Sequence, residues 1–286
     1  MKCEIILIGN ELLIGKIHDT NGLWIIEQLL SLGISVSRVT TIPDDVEIIK
    51  STIQESFKRK PEYLFTSGGL GPTYDDMTLK GVSLALNPPC PLEYDENAFK
   101  MIQNIFRLRY PKKFAKITNI GQYLVENYPN VKKMAKIPKG SKPLLNREGA
   151  APGVYIYEKN TNGCTKIVCM PGVPAELKAI FSDNIIPELE RRDSKDRGAF
   201  HECGFIFHNL SESKLGEKIY ILKSDYPEIW IKTHPHKREI NKELKYAVEL
   251  HLTSFSNKKT IYHDMKKLCR ILRDRVLNLG GIIISE

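Results

Sequence analysis

Three short runs rich in apolar and β-branched residues, Glu4 to Ile8, Ile34 to Thr40 and Tyr63 to Thr66, alternate with two amphipathic stretches, and glycine bounds each run. Runs of that length read as strands. Between them, Asn21 to Leu32 carries apolar residues at 23, 25, 26, 29, 30 and 32, the spacing of one helix face, and stops at Gly33. Asp44 or Asp45 can cap a second helix that runs to about Lys58. Strand, helix, strand, helix, strand with short links requires parallel strands joined by right-handed crossovers. The first half of the chain is therefore expected to be α/β, an open sheet in a three-layer arrangement.

The remainder follows from the same periodicities. Asp75 or Asp76 is expected to cap a helix that Asn87-Pro88-Pro89 ends, two helices follow at about 95 to 108 and 118 to 127, and strands resume at 153 to 157 and 166 to 170. A helix from Pro174 to Arg192 completes a first domain, 1 to 195, with the charged run Glu188 to Arg197 read as a linker. Residues 196 to 286 read as β-α-β-β-α-β, the split-βαβ order of a small α+β domain. Two domains also suit 286 residues at roughly 150 per domain. Six cysteines without a C-x-x-C pair argue against a zinc site or a redox dithiol. No run approaches the roughly 18 to 20 apolar residues of a membrane span and no signal-peptide pattern opens the chain, so a cytoplasmic protein is expected. Trp24 and Trp230 are expected in the core, and His234-Pro235-His236 in a surface loop.

The formal charge of +8 is unevenly spread. Residues 1 to 99 hold 8 basic and 14 acidic side chains, whereas residues 100 to 147 hold 12 and 1. Such a segment is either a solvated lysine-rich face or the counter-charge of a phosphorylated ligand or nucleic acid. Lys112, Lys113, Lys132 and Lys133 lack aromatic residues at stacking spacing, and no nucleic-acid reading motif accompanies them, so nucleic acid is not the expected partner.

Two Gly-rich turns follow strands and precede helices: Gly9-Asn10-Glu11-Leu12-Leu13-Ile14-Gly15, ahead of Asp19-Thr20-Asn21, and Ser67-Gly68-Gly69-Leu70-Gly71-Pro72-Thr73-Tyr74-Asp75-Asp76-Met77-Thr78. Ligands of parallel sheets bind beyond the carboxyl ends of the strands, where such turns converge. Glycine lets the backbone approach a phosphate, and Ser67, Thr73 and Thr78 add hydroxyls. As bare pattern the second turn is neither a P-loop nor a dinucleotide fingerprint, and a plain tight turn explains its glycines equally. Glu11, Asp44, Asp75 and Asp76 beside the turns change that balance, because carboxylates lining a phosphate cradle make sense when a divalent cation bridges them.

Both motifs, followed by Gly149-Ala150-Ala151-Pro152-Gly153 and Met170-Pro171-Gly172-Val173-Pro174-x-Glu176-Leu177-Lys178, resemble in order those of the CinA family, competence/damage-inducible protein A. The departures are small: Asn10 and Val173 stand where that family more often has other residues. The resemblance implies a MoaB/Mog-like, molybdopterin-binding first domain, and a second domain likened to KH modules although residues 200 to 286 contain no Gly-x-x-Gly. It implies an ADP-ribose pyrophosphatase that requires a divalent metal ion, Mg, Mn or Co. The family's C-terminal amidohydrolase domain is not expected within these residues.

Carried over by position, Asp76, Asp44 and Glu11 would be catalytic, with Asp76 and Asp75 holding metal. Gly9, Asn21, Ser67, Gly68, Gly69, Leu70, Gly71, Pro72, Thr73, Thr78, Pro171 and Gly172 would bind substrate and its phosphates. The expected partner is a small phosphorylated ligand, ADP-ribose or a pterin or nucleotide, and a homo-oligomer, a dimer first, is implied. Two alternatives stay open: a molybdopterin-binding protein without hydrolysis, and a competence- or DNA-damage-associated interaction protein.

Overall fold

Two consecutive crossovers build the N-terminal part of the computed structural model, which describes residues 2–160, 163–191, 198–240 and 243–285. Strand β1 (Lys2–Ile8) is followed by α1 (Asn10–Leu13), α2 (Asn21–Ser31), β2 (Ser35–Ile42), α3 (Val46–Arg59) and β3 (Tyr63–Ser67). Both β2 and β3 pair in parallel with β1, which lies between them. Asp45 caps α3, accepting the Ile48 N–H at 2.9 Å, and Asp44 is thereby left for another role. Helix α4 (Thr78–Ala85) has Met77 at its N-cap and no side-chain cap. The cap expected from Asp75 or Asp76 is not made, because both carboxylates turn back onto Thr73.

Next comes a helical excursion. Strand β4 (Leu92–Tyr94) leads into α5 (Glu96–Arg109), α6 (Pro111–Phe114), α7 (Ile120–Asn127) and α8 (Val131–Met134), and β5 (Lys136–Pro138) returns to pair antiparallel with β4. Strands β6 (Lys142–Leu144), β7 (Gly153–Asn160) and β8 (Gly163–Met170) then complete a six-stranded sheet of order β2-β1-β3-β8-β7-β6. Strand β8 is parallel to β3, whereas β7 and β6 run antiparallel to their neighbours. Helix α9 (Pro174–Ile180) continues through a π turn (Phe181–Ile185) into α10 (Ile186–Glu190).

The three-layer expectation is met in the burial pattern. Ile6 and Ile8 of β1 pack with Ile49, Ile53 and Ile102 on one face, while Ile5 and Leu7 pack with Ile25, Leu29 and Phe181 on the other. A strand buried on both sides reads as a continuous apolar run, as this one does. Trp24 is only partly buried, edge-on to Phe181.

The expected linker starting at Glu188 needs correction. Its Oε1 accepts from Lys166 Nζ at 2.6 Å and from the hydroxyls of Tyr63 and Tyr155 at 2.6 and 2.8 Å, which fastens α10 to β3, β7 and β8. Glu188→Ala leaves the Lys166 ammonium without its carboxylate. Because both side chains retain some exposure, 22% and 28%, the expected loss is about 2 kcal/mol, below the roughly 3–5 of a fully buried pair. A chemical-denaturation midpoint indistinguishable from the wild type would refute this.

The chain divides into two units, Met1–Asp193 and Ser194–Glu286. The expected boundary at 195/196 lies outside the described residues. In the second unit, β9 (Ala199–His208), α11 (Glu212–Lys223), β10 (Trp230–Ile240), β11 (Glu243–Ser256), α12 (Ile261–Asn278) and β12 (Ile282–Ser285) reproduce the expected order. Its antiparallel sheet runs β10-β11-β9-β12. Helix α12 presents Ile261, Met265, Leu268, Leu272 and Val276 to Phe205, Phe207, Leu250 and Leu252 of the sheet. Two expectations fail here: Trp230 is 60% exposed, and the His234–His236 segment is edge strand, not loop. Pro235 disguised that strand, and an edge position is where a sheet tolerates proline. Among the described residues no helix is long and apolar enough to cross a membrane.

Candidate functional site

Three turns leave the carboxyl ends of adjacent strands β1, β3 and β8, and one side chain ties them together. Asn21, at the start of α2, is buried, and its Nδ2 donates to Ser67 Oγ at 3.0 Å and to the Gly172 carbonyl at 2.7 Å. Asp19 orients that helix by accepting the N–H groups of Asn21 and Gly22. A fourth turn joins through Asp44, whose Oδ2 accepts the Asn10 N–H at 2.9 Å.

The turn after β3 takes its shape from two residues in the left-handed region. Gly68 has φ +112° and Gly69 φ +66°. A Cβ at Gly68 would lie 2.0 Å from the Ile8 carbonyl oxygen, and one at Gly69 would lie 2.2 Å from Thr78 Oγ1. Thr78, fully buried, donates its hydroxyl to the Gly68 carbonyl at 2.8 Å and so braces the turn from beneath. Among the described residues the backbone N–H groups of Gly69, Leu70 and Gly71 have no intramolecular acceptor. Three successive free donors on a glycine turn form a concavity suited to an anion.

Acidic groups stand at the end of this turn. Thr73 Oγ1 lies 2.5 Å from Asp75 Oδ1 and 2.6 Å from Asp76 Oδ2, and the Thr73 N–H donates to that same Asp76 oxygen at 2.8 Å. One hydroxyl carries one hydrogen, so one of its two short carboxylate contacts lacks a donor. The Thr73 hydroxyl holds Asp75 below the usual carboxylate range. Burial pushes Asp44 above it, and the charges of Glu11, Asp75 and Asp76 push the same way against the Asn10 N–H, so all four carboxylates share one field.

The turns open into a cleft of about 980 Å³. Its lining includes Glu11, Asn21, Asp44, Asp75 and Asp76, the loop from Ser67 to Thr73, Pro171 and Gly172, and also His18. Gly9 and Thr78 do not line it. They act behind the surface, Gly9 as the N-cap of α1 and Thr78 as the brace already described.

The opposite wall belongs to the helical excursion, which contributes Phe106, Arg109, Tyr128, Asn130 and Met134. Lys133 of α8 donates to the Thr73 carbonyl and acts on the Asp75 charge. Glu176 of α9 is held by Asn146 Nδ2 at 2.7 Å and pushed up by burial, with Arg109 opposing. None of these helical residues was singled out for the site from sequence; the signal available was the excess of positive charge between 100 and 147.

The donor set suits a hard cation of the Mg²⁺ type, which takes one or two protein carboxylates and completes its shell with phosphate and water. Asp75 and Asp76, gathered on one hydroxyl at the end of a turn whose free amides suit an anion, offer that number. Among the described residues no three His, Cys, Asp or Glu side chains converge as a self-sufficient metal cage.

The chain also resembles known proteins over most of its length. The family model described as "Probable molybdopterin binding domain" matches residues 4–191. A protein of Sulfolobus acidocaldarius is 36% identical over 279 residues, 97% of this chain and 96% of its own length. Another from Sulfurisphaera tokodaii is 36% identical over 284 residues, covering 99% and 98%. Among solved structures, the protein CinA with unknown function from Thermoplasma acidophilum is 30% identical with a TM-score of 0.52, covering 66% of this chain and 97% of that one.

Proposed function

Because the chain belongs to the probable molybdopterin binding domain family and is CinA-like, we propose that its cleft hydrolyses the diphosphate linkage of a nucleotide, with ADP-ribose giving AMP and ribose 5-phosphate. The observation that carries this reading is the free-amide turn Gly69–Gly71 ending beside Asp75 and Asp76 in one cleft.

The amides of Gly69, Leu70 and Gly71 bind phosphate oxygens and stabilise the charge that grows on them. Asp75 and Asp76 would hold a divalent cation such as Mg²⁺, Mn²⁺ or Co²⁺, which would supply further neutralisation of that charge. Asp44 orients the attacking water and takes its proton. Its Oδ2 is fixed by the Asn10 N–H, so the other oxygen is the one that meets the water. The water oxygen bonds to phosphorus, the phosphoanhydride bond breaks, and the bridging oxygen leaves with one monophosphate. Glu11 keeps Asp44 basic through its neighbouring charge.

Release of AMP from ADP-ribose by the purified protein, followed by ion-pair chromatography with each cation, tests the reading; no release with any of them overturns it. The raised Asp44 sets the pH dependence. A base must be unprotonated, and a raised pKa means that this form is lost sooner as pH falls. The acid limb of turnover is thus expected above the ordinary aspartate value of about 3.9. Asp44→Asn should remove that limb and at least tenfold of the rate; a full-rate variant with an unchanged limb would exclude Asp44 as the base.

The family description favours a second reading, a pterin phosphate bound in the same cleft without turnover. Calorimetry with molybdopterin against ADP-ribose separates the two.

A further inference from the structure

Among the described residues, six carboxylates line the cleft, those of Glu11, Asp19, Asp44, Asp75, Asp76 and Glu176, against a single lysine or arginine, Arg109. A diphosphate adds at least two negative charges to those of the carboxylates, and neutral amide donors with a single divalent cation do not balance that field. A cation adjoining the lining supplies what is missing. Lys133 reaches the Thr73 carbonyl at the end of the free-amide turn and lies in the field of Asp75.

Its position is built into the fold. Lys133 stands in the last turn of α8, whose Val131 and Met134 are buried in the core, 3% and 5% exposed, so the backbone that carries the lysine is anchored on both sides. A lysine ammonium has three N–H donors. The Thr73 carbonyl takes one and leaves two that can turn to an anion beside the loop. We infer that Lys133 is the counter-charge that admits a diphosphate to this acidic cleft, a specificity-determining residue contributed by the helical excursion. The inference rests on the reading of the cleft as a diphosphate site and adds the residue that makes such a ligand acceptable there.

Two features follow from that role. The contact is between a compact point charge and phosphate oxygens, so arginine can replace it in charge while methionine keeps only the stem. The side chain is partly buried, and methionine keeps the apolar part of its stem, so Lys133→Met changes the charge at this position more than the packing.

The test is isothermal calorimetry with inorganic pyrophosphate and with ADP-ribose in its non-hydrolysable α,β-methylene form, Mg²⁺ present throughout, on the wild type, Lys133→Met and Lys133→Arg. For every ligand that the wild type binds, Lys133→Met should weaken affinity tenfold or more, and Lys133→Arg should return it to within about threefold. The unliganded melting temperature should stay within a degree in both variants. Loss of affinity below threefold in Lys133→Met overturns the inference, as does a fall in melting temperature that accounts for the loss. Wild-type binding of pyrophosphate without ADP-ribose would sink the functional reading and leave Lys133 to be judged on pyrophosphate. Binding of neither would overturn both.

Discussion

Asp76→Asn should lower AMP release from ADP-ribose by about 10²- to 10³-fold while the folded state persists, the scale on which loss of one transition-state stabilising group is felt. The substitution is chosen for shape. Asp76 Oδ2 sits against Gly71, where even a Cβ would approach it to 2.6 Å, so the space there fits a planar group of this size and little else. An asparagine side-chain oxygen can still accept the Thr73 N–H that Asp76 accepts at 2.8 Å. What disappears is the charge, together with one of the two carboxylates gathered on the Thr73 hydroxyl. The loss should appear in kcat more than in KM, because the charge acts most on a phosphoryl group whose own charge is being redistributed. Retention of more than a third of wild-type turnover would remove Asp76 from the chemistry, and excess Mn²⁺ restoring the rate would identify its contribution as cation affinity.

Asp76 also shows how far local sequence rules reach. Its position before a helix made capping the expected local role, shared with Asp75, and Asp45 does cap as such rules require. Asp75 and Asp76 do not, because a threonine two and three residues upstream offers a hydroxyl and an N–H in the same small space, and the helix begins at Thr78 without them. The parallel core strands were legible because burial on both faces leaves an uninterrupted apolar signature. Short β4, β5 and β6, of three residues each, leave no periodicity to detect. The far wall of the cleft was harder to read for a different reason: Arg109 and Tyr128, with Lys133 adjoining them, are distant in sequence from the glycine turns and reach them only through the packing of α5, α7 and α8. Net charge marked the segment as a possible counter-charge for a phosphorylated ligand beside the acidic site, without showing which of its residues reach the cleft. Trp230 and the Pro235 strand misled for the opposite reason, since composition there suggested core and loop where an edge strand supplies neither.

Gly68→Ala is expected to cost about 3 kcal/mol or more and to abolish ligand binding in the fraction that still folds, as strain and overlap act together. The residue has φ +112°, outside the region open to an L side chain, and its Cβ would stand 2.0 Å from the carbonyl oxygen of Ile8. That oxygen belongs to backbone at the end of a central strand, six of whose seven residues are buried, so it has nowhere to retreat. The turn must move instead. Moving it breaks the Gly68 N–H bond to the Met170 carbonyl at 2.9 Å and the Thr78 hydroxyl bond to the Gly68 carbonyl, the two supports that aim the free amides into the cleft. Gly140 supplies the control, with φ +76° and nothing within 4 Å of its Cβ, so Gly140→Ala meets the backbone strain without the overlap and should cost only about 1 kcal/mol. At roughly 2–4 °C per kcal/mol, the first variant should melt near 9 °C below wild type and the second near 3 °C below. Equal shifts would mean that left-handed backbone alone dictates glycine at 68, and that the close approach of β1 to the turn is not what shapes the anion site.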